Sequence, residues 1–140
     1  MLRLSVRGLQ EIIAKYQGVS KRFNTEVESI TNKAVKFAIG KVPPYPEEPT
    51  NSSYDRTGRL GRSVRELQGS NPDALARTEP RPFGAIGYLG TSVGYSPFVI
   101  DEKSQAWMHR GRWWTLQQFL RGLVPQIVKL YHVGLHRLFR

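Results

Sequence analysis

The stretch that decides the fold is Tyr88-Leu-Gly-Thr-Ser-Val-Gly-Tyr-Ser-Pro-Phe-Val99. The apolar run that leads into it predicts a buried strand over residues 83–93 that ends at Gly94. Pro97 then stands where proline opens a helix, because the first helical turn does not need its missing N–H. We therefore expect a strand, a turn and a short helix in succession. Tyr95 and Phe98 are expected to be buried there as anchors of the core.

A second informative segment lies upstream and reads Arg56-Thr-Gly-Arg-Leu-Gly-Arg-Ser-Val64. Thr57 is a typical N-cap residue, since its hydroxyl can accept a hydrogen bond from the first helical turn. Leu60 and Val64 are four residues apart and so share one face of a helix. The segment predicts a short helix at 57–63, then a strand at 64–68 that pairs with the strand at 83–93.

Residues 8–40 have the clearest helical period in the chain. Such a helix would be about 45 Å long, longer than a domain of this size covers by itself. We therefore expect part of its apolar stripe to contact another subunit. Gly40, followed by Pro43, is predicted to end the helix. The stripe recurs at steps of three or four and comprises Leu9, Ile12, Tyr16, Val19, Phe23, Val27, Ile30, Ala34 and Phe37.

Two proline-rich loops separate the predicted elements. Residues 42–56 contain Pro43, Pro44, Pro46 and Pro49, which makes this loop extended and stiff. We expect it to be an arm that contacts a neighbouring subunit, with Tyr45 and Pro46 at the interface. Residues 69–82 are predicted to form a second loop.

The last third of the chain combines tryptophans, arginines and a final helical period. Residues 104–115 are predicted to form a hairpin with His109-Arg110-Gly111 at its tip. From Leu116 the helical period returns, and Gly122 and Pro125 are expected to divide it into a short and a terminal helix. The hairpin would carry Trp107, Arg110, Arg112, Trp113 and Trp114.

These elements predict one α+β domain over residues 1–140. A long N-terminal helix and a C-terminal helix would pack on a small antiparallel sheet, with extended loops between them. The chain has 21 Lys and Arg against 11 Asp and Glu, a net charge of +10. Such a field favours nucleic acid, an anionic surface or an acidic protein partner; the alternative is a solvated basic face.

Several function classes are disfavoured by composition and motifs. Without cysteine the chain has no disulfide and no thiolate metal site. It has no apolar run of about 18 residues and no signal-peptide core, so we expect no membrane contact and synthesis in a cytoplasm. The acid pairs Glu47-Glu48 and Asp101-Glu102 lack the spacing of an acid–base dyad. We expect no enzyme activity, no metal and no cofactor.

The two informative segments together resemble a known family. The pattern TG-x-L-x-x-S followed by GT-x-V-x-Y-x-x-(F/Y)-V is similar to the neck and tail-completion proteins of long-tailed phages of the Hong Kong 97 type. One departure follows the tyrosine turn, where members commonly have an acidic residue, an aromatic and a glycine. Here Ile100-Asp-Glu-Lys follows, and then the tryptophan-containing insertion. The matching positions are Thr57, Gly58, Leu60, Ser63, Gly90, Thr91, Val93, Tyr95, Phe98 and Val99.

The resemblance implies a structural protein of the virion made in a bacterial host. Such a protein forms a homo-oligomeric ring, six-fold or twelve-fold, at the head–tail interface and needs no cofactor. Its partners would be further copies of itself, the neighbouring neck and tail proteins and, transiently, the DNA that passes through the channel.

The tryptophan and arginine residues leave a second interpretation open. Aromatic rings between arginines can stack bases and hold phosphates, so the chain could instead be a free basic protein that binds nucleic acid through its hairpin. Tryptophan and arginine are also the residues that dominate protein–protein hot spots. An assembly surface at Trp107, Arg110, Arg112, Trp113 and Trp114 is therefore the principal prediction.

Overall fold

The computed structural model describes residues 2–5, 20–48, 50, 57–82 and 84–140. The fold is α+β, as the sequence predicts. It contains strand β1, helices α1 and α2, strands β2 and β3, helix α3, a 3-10 turn and helix α4. In chain order these are Leu2–Ser5, Ser20–Lys41, Arg59–Val64, Arg77–Arg81, Gly84–Leu89, Ser96–Ile100, Trp107–His109 and Leu116–Leu138.

The sheet has three antiparallel strands in the order β1-β3-β2. All six residues of β3 are buried, because this strand lies in the middle of the sheet beneath α1. Leu2 of β1 pairs with Leu89, and Arg77 of β2 pairs with Tyr88 from the other side. The predicted buried strand is therefore confirmed, although it ends at Leu89 and not at Gly94.

The predicted partner of that strand is wrong. Val64 is the last residue of α2, and beyond it Leu67 and Gln68 form only isolated bridges. The strand that pairs with β3 is β2, which lies in the segment predicted to be a loop because of its prolines. Pro80 is compatible with β2 because this strand forms an edge of the sheet, where one missing N–H need not interrupt a ladder.

Helix α1 confirms the predicted apolar stripe from Phe23 onward. Phe23, Val27, Ile30 and Ala34 are buried, and the helix packs against β2, β3 and α4. Gly40 lies within the helix, which ends only at Lys41 before the proline pair. The predicted first part, residues 8–19, lies outside the described residues.

Helix α4 is continuous from Leu116 to Leu138, so the predicted division at Gly122 and Pro125 is wrong. Proline removes one backbone hydrogen bond at a cost of about 3 kcal/mol. Pro125 is exposed, which leaves the freed carbonyl open to water. The neighbouring Leu123 and Ile127 are buried, and their packing against the core keeps both halves of the helix in line.

One buried hydrogen bond joins α1 to α4. The hydroxyl oxygens of Thr31 and Tyr131 are 2.5 Å apart, and the Thr31 hydroxyl donates to the Val27 carbonyl at 2.8 Å. Because a threonine hydroxyl has one hydrogen, Tyr131 is the donor of the bond between them. Burial raises the pKa of the Tyr131 hydroxyl.

Candidate assembly surface

The segment between α3 and α4 is not the predicted hairpin. It consists of turns around the 3-10 turn Trp107–His109, and none of its described residues forms a strand. The buried side chain of Gln105 organises it: Nε2 donates to the Val99 carbonyl at 2.7 Å and to the Trp113 carbonyl at 3.2 Å. One amide side chain thus connects the Val99 carbonyl of α3 with the Trp113 carbonyl near the start of α4.

Asp101 and Gln117 attach this segment to the beginning of α4. The Asp101 carboxylate accepts from the Ser104 N–H at 3.1 Å and from the Gln117 side-chain amide. These hydrogen bonds from Ser104 and Gln117 hold the pKa of the Asp101 carboxyl below its usual value. The side-chain oxygen Oε1 of Gln117 in turn accepts from the Glu102 N–H at 2.9 Å. The acid pair at 101–102 therefore has a structural role in the described geometry.

Four large apolar side chains are exposed where α3 meets the 3-10 turn. Trp107 is 79% exposed, Phe98 60%, Met108 52% and Tyr95 41%. The Phe98 carbonyl accepts from the Ala106 N–H at 2.8 Å, which places the backbone of α3 next to the residue that precedes Trp107. We call Tyr95, Phe98, Trp107 and Met108 the aromatic patch.

The predicted burial of Tyr95 and Phe98 is therefore wrong. Helix α3 is barely longer than one turn, and Ser96, Val99 and Ile100 occupy its buried face. Phe98 falls on the opposite face, and Tyr95 is the N-cap residue at the exposed start. Pro97 does lie in the first turn of this helix, as the sequence predicts.

The three tryptophans differ in their surroundings. Trp113 is half-buried and packs edge-on against Tyr45, with ring centroids 5.2 Å apart. Trp114 is also half-buried and lies 5.9 Å from the ring of Phe119. Its indole nitrogen is buried and has no hydrogen-bond acceptor among the described residues. Only Trp107 points a large exposed ring away from the core.

The two arginines of this segment are exposed beside a cavity of about 490 Å³. Arg110 Nε donates to the Gln105 carbonyl at 3.4 Å, and Arg112 Nη2 donates to the Glu47 carbonyl at 3.3 Å. Both bonds are long and involve neutral acceptors. The guanidinium groups are thus positioned by their own chain while their charge faces solvent.

The base of the proline-rich loop packs on the body of the protein. The Tyr45 hydroxyl accepts a hydrogen bond from the Gly61 N–H of α2, and a Cβ at Gly61 would overlap the Tyr45 ring. Arg65 Nη2 donates to the Pro43 carbonyl at 2.7 Å. Pro46 is half-buried. The tip at 51–56 lies outside the described residues, so only the base of the predicted arm is placed.

The two sequence motifs meet in the structure. The hydroxyl oxygens of Ser63 and Thr91 are 2.6 Å apart, and the Ser63 hydroxyl donates to the Leu60 carbonyl at 2.8 Å. Thr91 is therefore the donor to Ser63, and its oxygen also accepts from the Val93 N–H at 3.1 Å. Leu60 and Val93 are buried, as is Gly90.

The sequence predicts Thr57 as the N-cap of α2, and this prediction is wrong. The N-cap is Gly58, whose φ of 70° is the left-handed conformation that glycine adopts without strain. This extra residue moves Thr57 away from the helix, and its hydroxyl accepts only a 3.4 Å hydrogen bond from the Arg59 N–H.

Comparisons with known proteins found no matching family model, no matching curated protein and no matching solved structure. In the part of the chain that the structure describes, no group of three or more His, Asp or Glu side chains could hold a metal ion. Of the helices described, none has both the length and the apolar character to cross a lipid bilayer.

Sequence reasoning missed two contributors to this surface. Met108 belongs to the aromatic patch, and Gln105 sets the course of the whole segment. Neither residue belongs to a periodic pattern in the sequence. A single glutamine does not indicate that its side chain is buried and hydrogen-bonded to two carbonyls. The adjacent Trp107 was the only sequence indication of an exposed contact at this place.

Proposed function

We propose that this protein is a structural component of a tailed-phage virion. In this proposal it forms a homo-oligomeric ring in the neck, joins or completes the tail at the head–tail interface and allows DNA to pass. The observation that carries the proposal is the aromatic patch of Tyr95, Phe98, Trp107 and Met108. Clustered apolar side chains of this size on a protein surface mark an interaction site.

The composition of the patch supports a protein partner. Tryptophan and tyrosine are enriched at hot spots, where a few large side chains contribute most of the binding energy. Arg110 and Arg112, on the same segment, supply exposed charge of the kind found around such hot spots. In a ring, the patch of one copy would contact a different surface of the next copy, because a cyclic head-to-tail contact is heterologous.

The meeting of the two motifs also supports the proposal. Four of the residues that carry the family resemblance lie together, since Leu60 and Val93 belong to one buried cluster beside the hydrogen bond between Ser63 and Thr91. They act as a structural unit that joins α2 to the segment after β3. A motif with this role fits a family defined by its fold and assembly.

The alternative, a free basic protein that binds nucleic acid through the tryptophans and arginines, has weaker support. Trp113 and Trp114 pack against Tyr45 and Phe119, so their rings are partly occupied within the chain. A single-strand binding site needs successive bases to stack on available rings. Trp107 alone offers a largely exposed face for stacking.

Oligomeric state tests the proposal directly. We expect the purified protein to form a closed ring at micromolar concentration in light scattering and negative-stain images. The double variant Phe98→Ser with Trp107→Ser should remain folded and become monomeric, because it removes the two most exposed residues of the patch. The matched control is Val124→Ser with Val128→Ser, which removes exposed apolar side chains from α4 (46% and 49% exposed). A monomeric parent protein, or a ring that survives loss of the patch, would contradict the proposal.

A further inference from the structure

A groove lies between α1 and α4 on a part of the molecule separate from the aromatic patch. Its volume is about 590 Å³. The rings of Phe23 and Phe139 approach to 6.3 Å, and the hydroxyls of Thr31 and Tyr131 meet further along. The two helices therefore run antiparallel, and the groove follows their line of contact.

The floor of the groove is apolar. It is formed by Ile30 and Phe37 of α1 and by Leu130 and Val133 of α4. Val133 is 47% exposed although it adjoins the packed core. Gly134 brings the helices close at this point, since a Cβ there would overlap the Ile30 side chain. The close approach leaves a shallow channel with room for the side chains of another molecule.

The rim of the groove is basic. Lys33 and Lys41 lie along α1, and Lys129 and Arg137 lie along α4. No ion pair to a described carboxylate is formed by these four residues, although the Lys41 ammonium lies 5.7 Å from the centre of the Phe37 ring. Glu26 is the one acid among the described lining residues. Four cations around an apolar floor would be complemented by a ligand that has both an apolar face and carboxylates.

We propose that this groove binds an acidic amphipathic helix of a partner protein. An apolar face of that helix would lie on Ile30, Phe37, Leu130 and Val133, and its carboxylates would pair with the lysines and Arg137. Amphipathic helices bind apolar grooves in this manner through residues spaced three and four apart. Complementary charge at the rim adds specificity and speeds association.

The dimensions of the groove suit a helix of moderate length. Glu26 and Lys41 are fifteen positions apart on α1, which corresponds to about 22 Å of helix at the standard rise. A partner helix of about fourteen residues would span this distance. Its acids would be concentrated away from Glu26, because the basic residues Lys33, Lys41 and Lys129 occupy the rest of the rim.

The ion pairs and the acid content of this chain point to a different protein as the source of the carboxylates that would pair with the rim. Asp73 pairs with Arg59 at 2.6 Å and Glu102 with Arg121 at 2.5 Å. Glu79 lies 2.6 Å from Arg81 and 3.7 Å from Arg77. From Lys103 to the end of the chain there is no acid at all. A second copy of this chain, with 21 basic against 11 acidic residues, would bring more cations than carboxylates to this rim.

The apolar floor favours a peptide over a nucleic acid. A phosphate backbone would engage the cations and leave the exposed parts of Phe37, Leu130 and Val133 without a complementary surface. A helix with leucines on one face would cover these exposed surfaces and remove them from water. The basic rim and the apolar floor of the groove would therefore both contribute to recognition of the proposed helix.

Binding of synthetic fourteen-residue peptides to the full-length protein tests this inference. The first peptide carries leucines at helical spacing on one face and glutamates elsewhere; the second replaces the leucines with glutamine. Fluorescence anisotropy is measured at physiological salt, where charges beyond about 8 Å are screened. We expect the leucine peptide to bind and the glutamine peptide to bind at least about tenfold more weakly.

Paired charge reversals locate the site. Lys33→Glu with Lys129→Glu should weaken binding of the leucine peptide at least about tenfold. The control, Lys36→Glu with Lys103→Glu, makes the same change in net charge outside the groove and should alter the affinity less than about twofold. Circular dichroism checks that both variants are folded. Light scattering should show no change in the oligomeric state of either variant, which separates this inference from the proposed ring contact.

Five results would overturn the inference. Equal binding of the two peptides would mean that only non-specific charge attraction holds them. An equal loss of peptide affinity in the Lys33 and Lys129 variant and in its control would place the binding site outside the groove. Tighter binding of a duplex DNA, lost in the Lys33 and Lys129 variant, would make the groove a nucleic-acid site. No binding of the leucine peptide would show that the groove does not take a helix of this kind. A change of oligomeric state on reversal of Lys33 and Lys129 would assign the groove to a contact between copies of this chain.

Discussion

Ser63 and Thr91 are 28 residues apart in the chain, and their hydroxyl oxygens lie 2.6 Å apart. Ser63 is fully buried at the inner side of α2, while Thr91 follows the central strand. Each hydroxyl both donates and accepts, so the pair forms a chain of hydrogen bonds from the Val93 N–H to the Leu60 carbonyl. This chain connects the two sequence motifs in space.

Ser63→Ala should destabilise the protein by about 1–3 kcal/mol, because the Thr91 hydroxyl loses its acceptor in a partly buried place. The free energy of unfolding in urea measures the effect. The double variant Ser63→Ala with Thr91→Val should cost less than the sum of the single variants, since it leaves no unpaired hydroxyl. Additive losses would mean that the two hydroxyls contribute separately.

Tyr131 should make stability depend on alkaline pH. Burial raises the pKa of its hydroxyl in the folded protein, so the folded state holds this proton more tightly than the unfolded state. The contribution is complete below the unfolded value of about 10 and is lost as the pH rises through the folded pKa. Urea unfolding at about pH 9 and about pH 11 should show a steeper loss of stability in the parent than in Tyr131→Phe. The same slope in both proteins would contradict this assignment.

At neutral pH the Tyr131→Phe variant isolates the hydrogen bond to Thr31. It should lower the free energy of unfolding by about 0.5–1.5 kcal/mol. The Thr31 hydroxyl keeps its bond to the Val27 carbonyl, so no donor is left unpaired. A loss well above this range would indicate that the phenylalanine ring cannot occupy the tyrosine site.

Two glycines of α4 should respond in opposite directions to alanine. A Cβ at Gly134 would overlap the buried Ile30 side chain, whereas nothing lies within 4 Å of a Cβ at Gly122. Gly122→Ala should stabilise the protein by about 0.5–1 kcal/mol, because alanine is the better helix former. Gly134→Ala should destabilise it by about 1–3 kcal/mol through overpacking. Thermal unfolding of the two variants measures whether each substitution raises or lowers stability. Stabilisation by both substitutions would mean that α1 and α4 can move apart at Gly134 without an energetic cost.

Periodicity was sufficient to predict the elements that bury one continuous face. The stripe from Phe23 to Ala34 and the apolar run of β3 have strong patterns, and both were recovered. Strand β2 was not predicted, because Pro72, Pro80 and Pro82 indicated a loop over residues 69–82. Its edge position, which makes proline acceptable, is a property of the assembled sheet and not of the local sequence.

The residue types of the candidate site indicated its place in the sequence, but its geometry was predicted only in part. Tryptophan and arginine indicated an interaction segment, but the side chain of Gln105 replaced the predicted hairpin with a set of turns. Which tryptophan faces outward depends on contacts with distant residues such as Tyr45, sixty-eight positions before Trp113 in the chain. Helix α3 has only five residues, too few for a helical period in the sequence to show that Val99 is buried and Phe98 is exposed.

The arginines of the segment give the last prediction, which follows from the proposed function. Arg110 and Arg112 are exposed, and their hydrogen bonds of 3.4 and 3.3 Å go to carbonyls of their own chain. Replacing both with alanine should therefore change the free energy of unfolding by no more than about 0.5 kcal/mol.

Their effect on assembly should be much larger. In a neck ring, the two guanidinium groups would face carboxylates of the neighbouring subunit or ring, or the phosphates of DNA in transit. Phage carrying Arg110→Ala with Arg112→Ala should accumulate separate heads and tails, visible by electron microscopy. Lys36→Ala with Lys103→Ala, which removes two exposed charges elsewhere, serves as the control. If the arginine variant gives virions at normal yield, the arginines are not part of the assembly surface. The segment would then serve only to cover the core of its own chain.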